Sequence, residues 1–88
     1  MPYMDESENT MTTRPLYEIA RDIRKSWPNV WFGAKPYLEA MSSLDKITDN
    51  YGFDSGKSIV LYFLSNAAQF KGEDARRIKA ELKAICKG

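Results

Sequence analysis

The segment Asp54-Ser55-Gly56-Lys57-Ser58 carries the residue types with which many proteins hold phosphate. In a phosphate-binding loop, Gly-x-x-x-x-Gly-Lys-Ser/Thr, the intervening residues let backbone N–H groups surround the phosphates. Here Gly52 precedes Gly56 by four positions, so the loop is one residue short. No strand is predicted before it, and 88 residues leave no room for a nucleotide-binding sheet. We therefore expect Gly56 to begin a helix, with a weaker anion site at that helix N-terminus as the alternative.

The composition leaves few groups for catalysis. The chain has no histidine, which removes the most frequent general base and metal ligand. Its one cysteine, Cys86, excludes an internal disulfide and a zinc site of the Cys/His type within one chain. The lysines around Cys86 are expected to lower the pKa of its thiol, but no neighbouring base activates it. We expect a non-enzymatic protein without cofactor or metal, in a reducing cytoplasm.

Charge is distributed unevenly along the chain. Asp5, Glu6 and Glu8 lie within the first ten residues, whereas all 13 basic residues come later. We expect residues 1–12 to form a flexible polar tail and residues 13–88 a single helical domain. The sequence shows neither a secretory signal nor a run of about 20 apolar residues, so we expect no membrane association.

Two helices are predicted in the first half of the chain. The first is capped by Thr13, accommodates Pro15 in its first turn and ends at Pro28. The second begins at Pro36 and ends at Gly52, because glycine readily adopts the left-handed conformation after a helix. In both, apolar residues recur at helical spacing, which predicts one buried face. These residues are Leu16, Ile19, Ala20, Ile23 and Trp27, then Tyr37, Ala40, Met41, Leu44, Ile47 and Tyr51.

The third element has two possible conformations. Residues 59–64 are rich in β-branched and aromatic side chains, so a buried strand competes with a helix capped by Asp54 or Ser55. The segment continues to Phe70 without a turn signal, and its polar residues recur at helical spacing, which favours a helix apolar nearly all round. A fourth helix begins at Glu73. We expect an all-α fold, a compact bundle of four short helices with the third in the centre.

A basic stripe runs along the predicted fourth helix. Its members are Arg76, Lys79, Lys83 and Lys87, with Arg77 beside them. Such a stripe can follow the phosphates of a nucleic acid. The alternative is an ordinary solvated face, because Glu73, Asp74 and Glu81 dilute the charge. No Asn, Gln, Ser or Thr lies in the stripe to read base edges.

An aromatic cluster surrounds the first connector. Its members are Trp27, Trp31, Phe32 and Tyr37. Large aromatic side chains dominate both small cores and protein interfaces, so a lid on the core and a contact surface are both open. Four short helices cannot easily shelter the eleven aromatic residues of this chain. We therefore expect some of them on the surface, where they favour a protein partner or self-association.

Short runs along the chain carry a family resemblance. They are Leu16-Tyr17-Glu18-Ile19-Ala20, Pro36-Tyr37-Leu38-Glu39-Ala40-Met41, Tyr51-Gly52, residues 59–66 and Ile78-Lys79-Ala80-Glu81-Leu82-Lys83. Together, over roughly residues 14–86, they resemble small uncharacterised helical proteins encoded by bacteriophages and mobile elements. The resemblance carries no catalytic motif and transfers no functional residue. It implies a protein of the host cytoplasm that binds a host or defence protein.

The sequence thus predicts a non-enzymatic protein-binding module, which the resemblance would make a phage-type inhibitor or accessory factor. The expected contact residues are Trp31, Phe32, Tyr37, Arg76, Lys79 and Lys83. The alternative is a small nucleic-acid-binding protein that uses the basic stripe and Arg77.

Overall fold

The computed structural model describes residues 14–87, so the predicted tail at residues 1–12 and the predicted Thr13 cap lie outside it. Within this range the chain forms four helices and one two-stranded antiparallel sheet. They are helix α1 (Leu16–Ser26), helix α2 (Lys35–Met41), strand β1 (Asn50–Tyr51), strand β2 (Asp54–Ser55), helix α3 (Gly56–Ser65) and helix α4 (Glu73–Lys87). A compact, mostly helical fold is therefore confirmed. The purely all-α prediction is wrong, because β1 and β2 interrupt the helices.

Helix α1 follows the sequence pattern closely. It begins directly after Pro15, whose backbone is extended, so the prediction that Pro15 lies within the first turn is wrong by one position. Its apolar residues at helical spacing are buried against α2 and α4. The N–H of Trp27 donates to the carbonyl oxygen of Ile23 at 2.7 Å and closes the last turn before Pro28. The first helix thus places Trp27 at its C-terminal end, in the core.

Helix α2 is shorter than the sequence predicts. It contains Pro36 in its first turn but ends at Met41 rather than at Gly52. Leu44 is buried, as its helical spacing predicts, but it lies in a connector and not in a helix. The hydroxyl of Ser42 donates to the carbonyl oxygen of Leu38 at 3.0 Å, where the chain leaves the helix.

The connector between α2 and β1, residues 42–49, provides hydrogen-bond acceptors for two helix N-termini. A helix leaves its first N–H groups without intrahelical partners. Two carbonyl oxygens of connector 42–49 accept hydrogen bonds from the start of α1, and two accept from the start of α3. These pairs are Leu16 to Asp45 at 2.8 Å, Tyr17 to Leu44 at 2.9 Å, Gly56 to Asp49 at 2.7 Å and Lys57 to Ile47 at 2.9 Å. The connector therefore holds both helices against the same segment.

A tight hairpin follows connector 42–49. Tyr51 pairs with Asp54, which leaves Gly52 and Phe53 as a two-residue turn. Gly52 has a φ of 65°, as the first central position of such hairpin turns requires. The turn directs Phe53 away from the protein, so that its side chain is fully exposed.

Helix α3 confirms the helical prediction for residues 59–64. Ser55 is the cap, and its hydroxyl oxygen accepts a hydrogen bond from the N–H of Ser58 at 3.1 Å. Phe63 is fully buried, but Leu61 and Tyr62 are 46% and 47% exposed. The prediction that this helix is the central one is therefore wrong, because one of its sides remains open to solvent.

An ion-pair network joins Arg14 to α1 and α4. The Arg14 guanidinium donates to both carboxylate oxygens of Glu81, at 2.7 and 3.0 Å, and to Asp22 at 3.1 Å. Its hydrogen bond to Glu81 is the main cause that raises the pKa of Arg14. Arg77 lies 3.5 Å from both Asp22 and Asp74. Arg77 therefore belongs to this network.

Candidate functional site

Trp31 and Phe32 lie in the connector before α2, with ring centroids 5.2 Å apart. Trp31 is half-buried against the core, and its ring covers Gly33 so closely that a β-carbon there would lie 2.2 Å from it. Phe32 is 76% exposed. The chain therefore anchors one aromatic residue of this pair and presents the other to solvent.

Tyr37 lies on α2 and meets Tyr62 of α3, with ring centroids 5.5 Å apart. Tyr62 and its neighbour Leu61 are the exposed apolar residues of α3. The predicted contact residue Tyr37 is thus half-buried beside an exposed apolar area. The structure does not bring Tyr37 into ring contact with Phe32, since each is paired with a different aromatic residue.

The basic stripe of α4 extends around Phe70. The ammonium nitrogen of Lys79 lies 5.7 Å from the centroid of the Phe70 ring, within the range of a cation–π contact. Burial, together with the nearby charges of Lys83 and Lys71, lowers the pKa of Lys79. Lys71, which the sequence pattern did not single out, is therefore part of this cluster, whereas Arg77 forms ion pairs elsewhere.

Phe70 also stacks on Trp27, the residue that follows α1. Their rings are nearly parallel, with an interplanar angle of 7° and centroids 5.0 Å apart. Each ring lines a surface depression. The first depression, of about 330 Å³, is lined by Arg24, Trp27, Pro28, Val30, Lys35, Leu38 and Glu39. The second depression, of about 240 Å³, is lined by Phe70, Lys71, Gly72, Ala75, Arg76 and Lys79.

Both depressions combine apolar surface with positive charge. Five of the lining residues are cationic, and Glu39 is the one acidic residue that lines them within residues 14–87. Such surroundings favour a ligand with an anionic group next to an apolar group, because the cations attract the anionic group and the apolar lining contacts the apolar group.

The start of α3 offers no comparable anion site. The N–H groups of Gly56 and Lys57 donate to connector 42–49, and that of Ser58 donates to Ser55. A phosphate loop needs such N–H groups free to face the ligand. Gly56-Lys57-Ser58 is therefore a helix start whose amides are already bonded within the protein.

Cys86 differs from its prediction. Its thiol is buried, and that burial raises its pKa, although Lys57 acts in the opposite direction. The prediction that nearby lysines lower the pKa of Cys86 is therefore wrong, because desolvation of the thiolate outweighs the positive charge.

In the described part of the chain, no three His, Cys, Asp or Glu side chains are placed to hold a metal ion. Residues 14–87 also contain no helix with the length and apolarity needed to cross a membrane.

Comparisons with known proteins identify no relative of this chain. The chain matches no protein-family model, and no match is found among curated proteins or among solved structures. The resemblance to small phage proteins therefore stays a prediction.

Proposed function

We propose that this chain is a non-enzymatic protein-binding module whose contact surface includes Phe32. The observation that carries the proposal is the 76% exposure of Phe32 next to the half-buried Trp31. Transfer of a fully exposed Phe side chain into an apolar environment is worth about 1.5–3 kcal/mol. A partner that covers Phe32 therefore gains a large part of this free energy.

The backbone around Phe32 is already fixed. The N–H of Ala34 donates to the carbonyl oxygen of Trp31 at 2.9 Å, and that of Lys35 donates to Phe32 at 3.3 Å. Trp31 in turn packs over Gly33. A side chain on an ordered turn loses less conformational entropy on binding than one on a mobile loop, which favours its use as an interface anchor.

The hairpin supplies a second exposed anchor. Phe53 is 107% exposed on the turn between β1 and β2, with Tyr51 47% exposed beside it. Exposed aromatic residues of this kind are typical of surfaces that meet a partner. Self-association through the same residues is part of the proposal. The resemblance to phage proteins makes a bacterial protein the first partner to test.

The second candidate function is nucleic-acid binding. It is favoured by the clustering of Lys71, Lys79 and Lys83, three cations that can contact successive phosphates. Its signature is a steep loss of affinity with salt, which an aromatic-centred interface lacks.

The test begins with affinity capture from a nuclease-treated bacterial lysate, followed by purification of the captured protein. Binding is then measured for wild type, Phe32→Ala, Phe53→Ala and Tyr17→Ala. Tyr17 is an exposed aromatic residue of α1 and serves as the matched control. We expect Phe32→Ala to weaken binding about 30-fold, as a 2 kcal/mol anchor does, with the melting temperature almost unchanged.

Three outcomes count against the proposal. One is a partner whose affinity is unchanged in both Phe32→Ala and Phe53→Ala. Another is equal weakening by the Tyr17→Ala control. The third is a marked fall in melting temperature for Phe32→Ala, which would show that this ring stabilises the fold. Analytical ultracentrifugation of the same variants tests self-association.

A further inference from the structure

We propose that the first and second depressions form one docking channel for an acidic segment of the partner polypeptide that also carries bulky apolar side chains. This inference rests on the proposed protein-binding function and names the chemistry of the partner. It places the contact on the side of the molecule where α1 meets the start of α4.

The Trp27–Phe70 stack makes the two depressions neighbours. Trp27 lines the first, Phe70 lines the second, and the ring centroids are 5.0 Å apart. Lys35, which lines the first depression, donates its backbone N–H to the carbonyl oxygen of Phe32 and so closes the turn that carries Phe32. The proposed channel therefore shares Lys35 with the turn that presents Phe32.

Charge complementarity identifies the occupant as acidic. The cationic residues of the channel are Arg24, Lys35, Lys71, Arg76 and Lys79. Glu39 is the one acidic residue in the described lining. Burial lowers the pKa of Lys79, and repulsion from Lys83 and Lys71 lowers it further. Carboxylates of a bound segment would relieve this repulsion and favour the charged form of Lys79.

The apolar surface of the channel favours a polypeptide over a nucleic acid. Trp27 and Phe70 are buried, so no open aromatic face is available on which bases could stack. A duplex would use the cations alone and leave the apolar surface uncovered. Pro28 and Val30, which remain accessible in the lining of the first depression, instead match apolar side chains of a peptide.

Trp27 can report binding directly. In a Trp31→Phe background it is the single tryptophan of the chain. The probes are synthetic peptides that combine Asp and Glu with Leu and Phe. In one control set Asn and Gln replace the acids, and in another Ala replaces the apolar residues. Short single-stranded and duplex DNA form the competing arm. We expect the acidic, apolar peptides to bind at least about 10-fold more tightly than either control set.

Charge reversal locates the contact. We expect the double substitution Arg76→Glu and Lys79→Glu to weaken peptide binding at least about 10-fold. Arg21→Glu, an exposed charge of α1 outside both depressions, should stay within about two-fold of wild type. Lys79 contacts Phe70, so Lys35→Glu in the first depression is the second variant if the double substitution unfolds the protein.

Several results would overturn the proposal of a docking channel. The first is that acidic, apolar peptides bind no more tightly than their control peptides. The second is tighter binding of duplex DNA, with log K falling against log salt at a slope of about −3.6 for four phosphate contacts. A third contrary result concerns Asp5, Glu6 and Glu8, the acidic residues near the N-terminus. If neutralisation of these three residues in the full chain tightens peptide binding more than about five-fold, the occupant of the channel is this acidic segment of the chain itself and not a partner.

The outcome also separates this inference from the proposed function. A partner that is lost in Phe32→Ala but kept in the Arg76→Glu and Lys79→Glu variant overturns the channel alone. A partner that is kept in Phe32→Ala and Phe53→Ala overturns the proposed function, whatever the channel does.

Discussion

Gly56 lies so close to the backbone of Lys46 that a β-carbon at position 56 would be 2.7 Å from the Lys46 carbonyl oxygen. The same β-carbon would lie 2.9 Å from the α-carbon of Ile47. Both obstacles are backbone atoms, which cannot move away by a change of rotamer. This contact, rather than a phosphate, explains the glycine at the start of α3.

Gly56→Ala should therefore destabilise the protein by about 1–3 kcal/mol, as overpacking does. The direction is informative, because alanine is otherwise favoured over glycine in a helix by about 1 kcal/mol. Urea denaturation measures the difference, with Lys57→Ala as the control at an exposed position of the same turn. A Gly56→Ala protein as stable as wild type would contradict the close contact.

Lys57→Ala should leave both the fold and every binding activity nearly unchanged. The N–H groups of the first turn of α3 are bonded to connector 42–49 and to Ser55, so they hold no phosphate. Isothermal titration calorimetry of wild type with ATP should show no binding. ATP binding in wild type that is absent in Lys57→Ala would restore the phosphate-loop interpretation.

Leu61 and Phe63 form a matched pair on α3. Phe63 is 0% exposed and meets the Trp27 ring edge-on at 6.4 Å, whereas Leu61 is 46% exposed. Phe63→Ala should cost about 3–5 kcal/mol, because it leaves a cavity in a close-packed core. Leu61→Ala should cost less than about 1 kcal/mol. Thermal denaturation by circular dichroism compares them, and equal losses would mean that α3 is enclosed after all.

Asp49 should make stability depend on pH. Its carboxylate accepts hydrogen bonds from the N–H groups of Lys46 at 3.0 Å and Asp45 at 3.1 Å, and these lower its pKa. A lowered pKa in the folded state stabilises the protein above the unfolded value of about 3.9. This stabilisation is lost as the pH falls through the folded-state pKa.

Asp49→Ala should therefore melt below wild type at pH 7, and the difference should shrink as the pH falls below about 4. Thermal melts across that range provide the measurement, with Asp45→Ala as the control carboxylate of the same connector. A constant difference at every pH would show that the carboxylate does not act through its charged form.

Local patterns in the sequence predicted α1, the helical conformation of α3 and the basic face of α4. They failed at α2, where Leu44 and Ile47 keep helical spacing although the helix ends at Met41. The reason is tertiary, because carbonyl oxygens of connector 42–49 accept hydrogen bonds from two other helices. An uninterrupted helix would use these carbonyls in its own hydrogen bonds.

The candidate site was predictable only in part. The aromatic and cationic character of Phe32 and Lys79 follows from residue type and spacing. The two depressions do not, because they depend on the stacking of Trp27 against Phe70, which are far apart in the sequence. The sequence does not single out Phe53, because Gly52 follows apolar residues at helical spacing and therefore indicates a helix end. A glycine between short β-compatible segments also fits the hairpin that the structure contains.

The shared use of connector 42–49 by α1 and α3 should couple local opening events that are distant in the sequence. If the connector detaches, the amide protons of Leu16 and Tyr17 lose their acceptors together with those of Gly56 and Lys57. In native-state hydrogen exchange, these four amides should then report one opening free energy. Any ligand that holds the connector in place would slow exchange at the starts of both helices at once.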